Sequence, residues 1–144
     1  MNNTLPVTIL LVEDDPGHAK LIMRNLQRAN VTNNVIHFLN GKDVLEFLQS
    51  ETLRQTYYLM LLDLNMPVMD GYQVLEQMKN NSSTQRIPII ILTTTDDQRE
   101  VNRCYDLGCN VFLTKPIDPD LFSQAIHKLG LLLSIVTIPE KEGN

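Results

Sequence analysis

Three short apolar runs, none of which alternates with polar residues, constrain the fold of this sequence more than any other feature. They occupy residues 9–12 (ILLV), 59–62 (LMLL) and 89–92 (IIIL). A strand that is apolar on both sides is buried on both faces, which is typical of a parallel sheet covered by helices. Two weaker runs, residues 35–39 and 111–113, complete a predicted series of five strands.

The segments between these runs have helical spacing. The clearest is an i, i+3, i+4, i+7 apolar stripe at Ala19, Ile22, Met23 and Leu26. Asp15 and Asp118 each precede a proline, which predicts a helix cap followed by a suitable first turn. Right-handed crossovers then give an α/β fold with one doubly wound parallel sheet. The last helix is predicted over roughly residues 119–133.

Residues 134–144 form a tail that is apolar up to Pro139 and charged at its tip. The sequence predicts that this tail packs as an added strand edge, a helix extension or a dimer contact, and does not choose among them. With 144 residues, of which 43% are hydrophobic and 20% charged, the chain is predicted to be one domain. Its core is expected at about residues 7–133.

Charge and hydropathy exclude several classes of function. A net charge of -5 argues against nucleic-acid binding, which depends on clustered basic residues. No apolar run reaches the ~18 residues that span a bilayer, and the start of the chain lacks a leader pattern, so a cytoplasmic protein without membrane contact is expected. Cys104 and Cys109 are too few for a disulfide framework and are predicted to be reduced thiols.

Polar residues follow the predicted strands at their carboxyl ends, where open parallel sheets bind ligands. These residues are Glu13, Asp14, Asp15, Asp63, Thr93, Thr94, Thr95 and Lys115. Clustered carboxylates repel one another and need a cation, and hard oxygen ligands with few positions suit Mg2+. Together with a hydroxyl and an ammonium, they predict a site for a phosphoryl group.

Four segments, ILLVEDDP, LLDLNMPVMDG, IPIIILTTT and FLTKPI, occur in an order and spacing that resemble the signature set of the response-regulator receiver domain. The resemblance covers roughly residues 7–133. It implies a flavodoxin-like (βα)5 fold with strand order 2-1-3-4-5. It also implies a stand-alone response regulator of a two-component phosphorelay, a signalling phosphoacceptor whose chemistry is limited to self-catalysed phosphotransfer and autodephosphorylation.

The resemblance assigns the acceptor and its metal residue by residue. Asp63 corresponds to the phosphoacceptor of the family. Mg2+ would be held by Asp14, Asp63 and the backbone carbonyl of Asn65, and Glu13 would act mainly through water.

The resemblance also assigns the residues that respond to the phosphoryl group. Thr93 and Lys115 would bind phosphoryl oxygens, and Phe112 would be the aromatic switch residue coupled to Thr93. The peptide bond between Lys115 and Pro116 would be cis. Phosphorylation would then signal by a conformational switch or by onward phosphotransfer.

Five further residues are given structural roles. Asp70 and Gly71 are expected to shape the turn into the third helix, since glycine adopts backbone angles that other residues avoid. His18, His37 and His127 have no motif partners, so surface or packing roles are expected. The phosphohistidine donor must then belong to another protein.

The expected partners follow from the same resemblance. The donor is a histidine kinase. The ending VTIPE, with CYDLG before the fifth strand, is similar to small response regulators that partner phytochrome kinases, some of which dimerise through a face that includes the C-terminal region. A histidine phosphotransfer protein, a downstream effector and a homodimer all remain open.

Three alternative functions are weighed against the receiver. A haloacid-dehalogenase-type phosphatase needs a second Asp two residues after the nucleophile, where this chain has Asn65. A flavin module needs a hydroxyl- or glycine-rich phosphate loop after the first strand, where this chain has the acidic EDDPGH. A degenerate receiver used as a scaffold would lack acceptor residues, whereas this sequence has the full set.

Overall fold

The computed structural model describes residues 7–50 and 57–142, and the side chains of residues 7–50 and 57–130. Strand and helix alternate five times along it. The strands are β1 (Val7–Val12), β2 (Val35–Phe38), β3 (Tyr57–Leu62), β4 (Ile89–Thr93) and β5 (Val111–Thr114). The helices are α1 (Pro16–Arg28), α2 (Gly41–Ser50), α3 (Gly71–Lys79), α4 (Gln98–Leu107) and α5 (Pro119–Glu142).

The five strands form one parallel sheet in the order β2-β1-β3-β4-β5, as predicted. Its register brings the carboxyl ends of neighbouring strands level, because Val12 pairs with Leu62 and Leu62 pairs with Ile91. The residues that follow β1 and β3 therefore emerge side by side. This flavodoxin-like arrangement places the residues that follow the strands together at the carboxyl end of the sheet.

Alternate residues of the central strands enter two separate cores, one on each face of the sheet. Leu10, Met60 and Ile91 pack with α2, α3 and α4, while Leu11 and Leu61 pack with α1 and α5. All five side chains are almost fully buried. Burying a Leu or Ile side chain contributes roughly 1.5–3 kcal/mol, so both faces of each strand favour an apolar residue. The unbroken apolar runs follow from this requirement.

Several predicted boundaries differ from the structure. β1 and β3 each begin two residues before their apolar runs, and β4 ends one residue after its run. β2 ends at Phe38, one residue early, and Leu39 is exposed beyond it. β5 continues one residue further than predicted, to Thr114. The tail extends a helix, since α5 runs to Glu142, and this outcome is one of the three that the sequence left open.

Both cysteines are buried free thiols, as predicted. Burial raises the pKa of Cys104 to about 11 and that of Cys109 to about 12, so both remain neutral near pH 7. The thiolate is the reactive form of cysteine, and neither residue offers it. Among the described residues, the structure contains no helix with the length and apolarity needed to cross a bilayer.

α3 begins with a capping box. The Asp70 carboxylate accepts from the backbone N–H of Gln73 at 2.9 Å, and the Gln73 side chain accepts from the backbone N–H of Asp70 at 3.0 Å. Asp70→Ala is expected to lower the free energy of unfolding by about 1 kcal/mol, whereas Asp70→Asn keeps most of the stability because its carbonyl oxygen still caps. Urea denaturation of both variants checks this. Equal losses in both would contradict it.

Candidate functional site

A pocket of about 230 Å³ opens at the carboxyl ends of β1, β3, β4 and β5. Its lining is mostly polar and consists of Glu13, Asp14, Asp15, His18, Asp63, Asn65, Thr94 and Lys115. The residues after β1 contribute four of these, and the ends of three further strands contribute the others. The register of the sheet therefore converges the predicted strand-end residues on one point.

Three carboxylates form the floor of this pocket. Glu13, Asp14 and Asp63 each offer one oxygen, and these oxygens lie within 4.8 Å of one another. Glu13 and Asp63 are only 1% and 6% exposed. Three hard oxygen donors at this separation could hold a divalent cation, which would offset their mutual repulsion.

Glu13 is held from several directions. Its backbone N–H donates to Phe38 at 3.0 Å, and its backbone carbonyl lies 2.7 Å from Nε2 of His37. Its side chain accepts from the backbone N–H of Asp15 at 3.1 Å and from Nζ of Lys115 at 2.6 Å. This buried carboxylate therefore has a fixed position and a cationic partner.

Lys115 brings a positive charge to the same floor. Its backbone N–H donates to the carbonyl of Thr93 at 2.7 Å, and its peptide bond to Pro116 is cis, in agreement with the resemblance. The side chain is 8% exposed. Nζ lies 2.6 Å from Oε1 of Glu13 and 3.9 Å from Oδ1 of Asp63. One ammonium thus faces two buried carboxylates.

The surroundings of Asp63 raise the pKa of its carboxyl group. Burial, followed by the negative charge of Glu13, raises its pKa to about 6, against the opposing effect of Lys115. Ionised Asp63 is therefore destabilised in the protein without a cation. A bound divalent ion would relieve that cost, since an adjacent positive charge favours the ionised carboxylate.

Gly71 allows the start of α3 to pack closely against the backbone at Asp63. A Cβ on Gly71 would lie 2.5 Å from the backbone carbonyl oxygen of Asp63 and 2.7 Å from Cα of Leu64. The backbone N–H of Gly71 also donates to the carbonyl of Leu64 at 2.9 Å. The start of α3 is thus packed directly against the loop that carries Asp63, and only glycine leaves the space.

Thr93 and Thr94, at the end of β4, differ in their position relative to the pocket. Thr93 is fully buried, and its Oγ1 accepts from Nδ2 of Asn65 at 3.3 Å. The pocket surface is lined by Thr94 instead. Thr93 therefore lies behind Asn65, one layer from the pocket.

Phe112 also lies outside the pocket lining. It is half-buried and packs against the core cluster on the α2, α3 and α4 face. Its backbone N–H donates to the phenolic oxygen of Tyr105 at 3.1 Å, which links β5 to α4. In the sheet, Phe112 pairs with Ile91, two residues before Thr93.

His18 is a site residue that the sequence prediction missed, because it was expected to have a surface or packing role. Its Nδ1 lies 2.9 Å from Nζ of Lys115 and 4.0 Å from Oε2 of Glu13. The signal was its place in the first turn of the helix that follows Asp15. Side chains in a first turn tilt back toward the N-terminus, which here points at the pocket.

The family model described as response regulator receiver domain matches residues 9–127. This chain belongs to that family. It is therefore a receiver domain of a two-component response regulator, a signalling protein rather than an enzyme in the ordinary sense. The strand-end carboxylates, Lys115 and the buried Thr93 all lie in the four segments that resemble the signature set of this family.

Two response regulators, Rcp1 and AtBRR, are similar to this receiver over most of its length. Response regulator Rcp1 of Synechocystis is 34% identical over 93% of this chain and 94% of that protein. The match to a solved Mn2+-bound form of Rcp1 covers 86% of this chain and 91% of the Rcp1 chain, with a TM-score of 0.70. The bacteriophytochrome response regulator AtBRR is 31% identical, covering 90% and 94%, with a TM-score of 0.73.

A receiver domain from Rhodospirillum rubrum has higher sequence identity. It is 47% identical, and the match covers 89% of this chain and 94% of that one with a TM-score of 0.74. The receiver fold predicted from the sequence is therefore confirmed.

Proposed function

We propose that this receiver accepts a phosphoryl group on Asp63 from the phosphohistidine of a histidine kinase. The observation that carries the proposal is the placement of Asp63, which is buried beside two further carboxylates and has the ammonium of Lys115 at 3.9 Å. A buried carboxylate with a raised pKa, set next to a cation in a pocket, is the arrangement expected of a functional group.

The proposed step is an in-line displacement at phosphorus. An Oδ of Asp63 forms a bond to phosphorus while the bond from phosphorus to the imidazole nitrogen of the donor breaks, and that nitrogen keeps the electron pair. A carboxylate is a weak nucleophile, so catalysis depends on positioning and on charge that stabilises the equatorial oxygens. Lys115 supplies such charge from this chain. In autodephosphorylation, the oxygen of a water molecule would bond to phosphorus while the bond from phosphorus to Oδ of Asp63 breaks, which releases inorganic phosphate and the free carboxylate.

The proposed cation is Mg2+, bound by Asp14, Asp63 and the backbone carbonyl of Asn65, with Glu13 acting through water. The acidic cluster supports this assignment, because hard oxygen donors suit a small divalent ion that keeps several waters. Rcp1 in its Mn2+-bound form supports it from a relative. When bound, the ion would neutralise charge on the acceptor carboxylate and on the phosphoryl oxygens.

The proposed switch begins at Thr93. Its hydroxyl is held by Asn65 at 3.3 Å in the unphosphorylated protein. A phosphoryl group adds roughly 1.5–2 negative charges and new acceptor oxygens, which Lys115 and the Thr93 hydroxyl would bind. The movement of Thr93 would leave space into which Phe112 turns, and so carry the change to the surface near α4 and β5.

The proposed donor is a phytochrome-type histidine kinase. The support is the similarity to Rcp1 and to the bacteriophytochrome response regulator AtBRR. We further propose that residues 1–144 act as one receiver unit in the cytoplasm. Its signal would pass to a histidine phosphotransfer protein, to an effector protein, or through a second copy of the chain.

Transfer of radioactive phosphate tests the donor. The protein is mixed with an autophosphorylated phytochrome-type kinase, or with an unrelated histidine kinase, in Mg2+ or in EDTA. Label is expected to move from the phytochrome-type kinase within minutes, to require Mg2+, and to map to the peptide that contains Asp63. Efficient labelling by the unrelated kinase alone would refute the phytochrome assignment. Absence of label from both kinases and from acetyl phosphate would refute the function itself.

A further inference from the structure

The ring of His18 is held over the acceptor pocket by the first turn of α1. Oδ1 of Asp15 accepts from the backbone N–H of Gly17 at 2.8 Å and from that of His18 at 3.1 Å, so the backbone at His18 is fixed at the helix start. The side chain of His18 is 41% exposed, yet Nδ1 reaches Nζ of Lys115 at 2.9 Å. This contact joins α1 to the end of β5.

The chemistry of the two groups fixes the direction of this hydrogen bond. An ammonium has three donors and no acceptor, so Lys115 donates and Nδ1 of His18 accepts. A second N–H of Lys115 donates to Oε1 of Glu13 at 2.6 Å. The third N–H of Lys115 then points toward the side of the pocket that holds Asp63, whose Oδ1 lies 3.9 Å from Nζ.

We infer that His18 is a positioning residue for phosphoryl transfer, which fixes the ammonium of Lys115 so that its remaining N–H faces the acceptor Asp63. This inference rests on the proposed function. A lysine ammonium is a point charge on a flexible four-carbon chain, and it loses orientation when it has a single partner. Charge that is oriented before the reaction stabilises the transition state without further reorganisation.

A second cavity borders Lys115 on the side of the His18 ring. A groove of about 460 Å³ lies between α1 and the segment that leads into α5, and it shares His18, Thr94 and Lys115 with the acceptor pocket. Lys115 is nevertheless 8% exposed. The His18 ring thus stands beside Lys115 where the two cavities meet. Loss of the ring would open Lys115 to water from the groove, whereas loss of the acceptor nitrogen alone would remove one hydrogen-bond partner of Lys115.

Two substitutions separate the acceptor nitrogen from the ring. His18→Phe keeps an aromatic ring but removes the acceptor, whereas His18→Asn places a carbonyl oxygen near the position of Nδ1. Acetyl phosphate serves as the donor: Asp63 bonds to phosphorus, and acetate leaves with the electron pair of the broken P–O bond. We expect the maximal labelling rate of His18→Phe to fall about 5-fold, and that of His18→Asn to stay within about 2-fold of the original.

Two further measurements distinguish positioning from general damage. Mn2+ affinity of the unphosphorylated protein, followed by electron paramagnetic resonance, is expected to stay unchanged in His18→Phe. In a Lys115→Gln background, His18→Phe is expected to have little further effect on the rate, because residues that act as a unit are not additive.

Three outcomes would overturn the role of His18 while the proposed function stands. They are a His18→Phe rate equal to that of the original protein, an equally slow His18→Asn, or an undiminished effect of His18→Phe in the Lys115→Gln background. If the unsubstituted protein took no label from acetyl phosphate, the proposed function would fail instead.

Discussion

Asp63→Asn is expected to raise the free energy of unfolding by about 1–3 kcal/mol at pH 7.5 in the absence of a divalent cation. The cause is the cost of keeping this carboxylate ionised where it stands. Burial, and then the charge of Glu13, raise the pKa of Asp63 to about 6, against an ordinary value of 3.8. Asparagine has nearly the same shape and carries no charge, so the cost disappears.

The gain is expected to depend on pH in a defined direction. Between about pH 4 and 6 the folded protein binds a proton at Asp63 that the unfolded chain has already released. The stability of the unsubstituted protein therefore falls as pH rises through this window, and the loss is nearly complete at about pH 7. Asp63→Asn removes that slope, so its advantage is largest at pH 7.5 and vanishes near pH 4.

Urea denaturation in EDTA at several pH values measures this effect. Asp106→Asn is the matched control, because Asp106 is an exposed carboxylate near the end of α4, before β5 begins. It is expected to change stability little. Saturating Mg2+ is expected to shrink the advantage of Asp63→Asn, since a ligand that binds the folded state stabilises it. A loss of stability in Asp63→Asn, or a gain that is the same at pH 4 and 7.5, would contradict the reasoning.

Most of the fold could be predicted because the strands of a parallel sheet that is covered on both faces are apolar at successive positions. Residues 9–12 and 89–92 are apolar at every position, since both faces of these strands are buried. The ends of elements were less predictable. Leu39 is apolar but exposed, and no local pattern distinguishes it from the strand residues before it.

The convergence of the candidate site residues could be predicted from the strand ends, whereas the directions of their side chains could not. Glu13, Asp63 and Lys115 meet because the sheet register brings their strands level. Which of the neighbouring threonines lines the pocket depends on side-chain direction at the end of β4. Without a phosphoryl group, Thr94 lines the pocket and the buried Thr93 hydroxyl accepts from Asn65, so the predicted contact of Thr93 with phosphoryl oxygens stays a prediction.

Two residues show how a tertiary contact escapes local reasoning. Gly71 was explained by the backbone angles that glycine permits, but it does not adopt a positive φ, and the close approach of Asp63 is the reason for it. His18 was given a surface or packing role because its partner, Lys115, is 97 residues away in the sequence. In both cases the decisive neighbour is brought close by the fold and lies beyond the adjacent residues of the sequence.

Lys115→Met is expected to slow phosphoryl uptake from acetyl phosphate by about 100-fold, the size of effect seen when one donor to transition-state charge is removed. Methionine keeps an unbranched apolar chain of similar length and loses the ammonium. The same change leaves Glu13 and Asp63 as buried carboxylates without their cation, which is expected to cost about 3 kcal/mol of stability in EDTA. Low uptake could then reflect unfolding.

A double variant separates these two effects. Adding Glu13→Gln to Lys115→Met removes the negative charge that has lost its partner, so stability is expected to recover most of the way, while uptake stays low because nothing replaces the ammonium. Urea denaturation and the rate of labelling in Mg2+ give the two readouts on the same samples. If the double variant regained uptake along with stability, Lys115 would matter for folding alone. Labelling of a stable double variant that stays much slower than that of Glu13→Gln alone would place the charge of Lys115 in the transfer step.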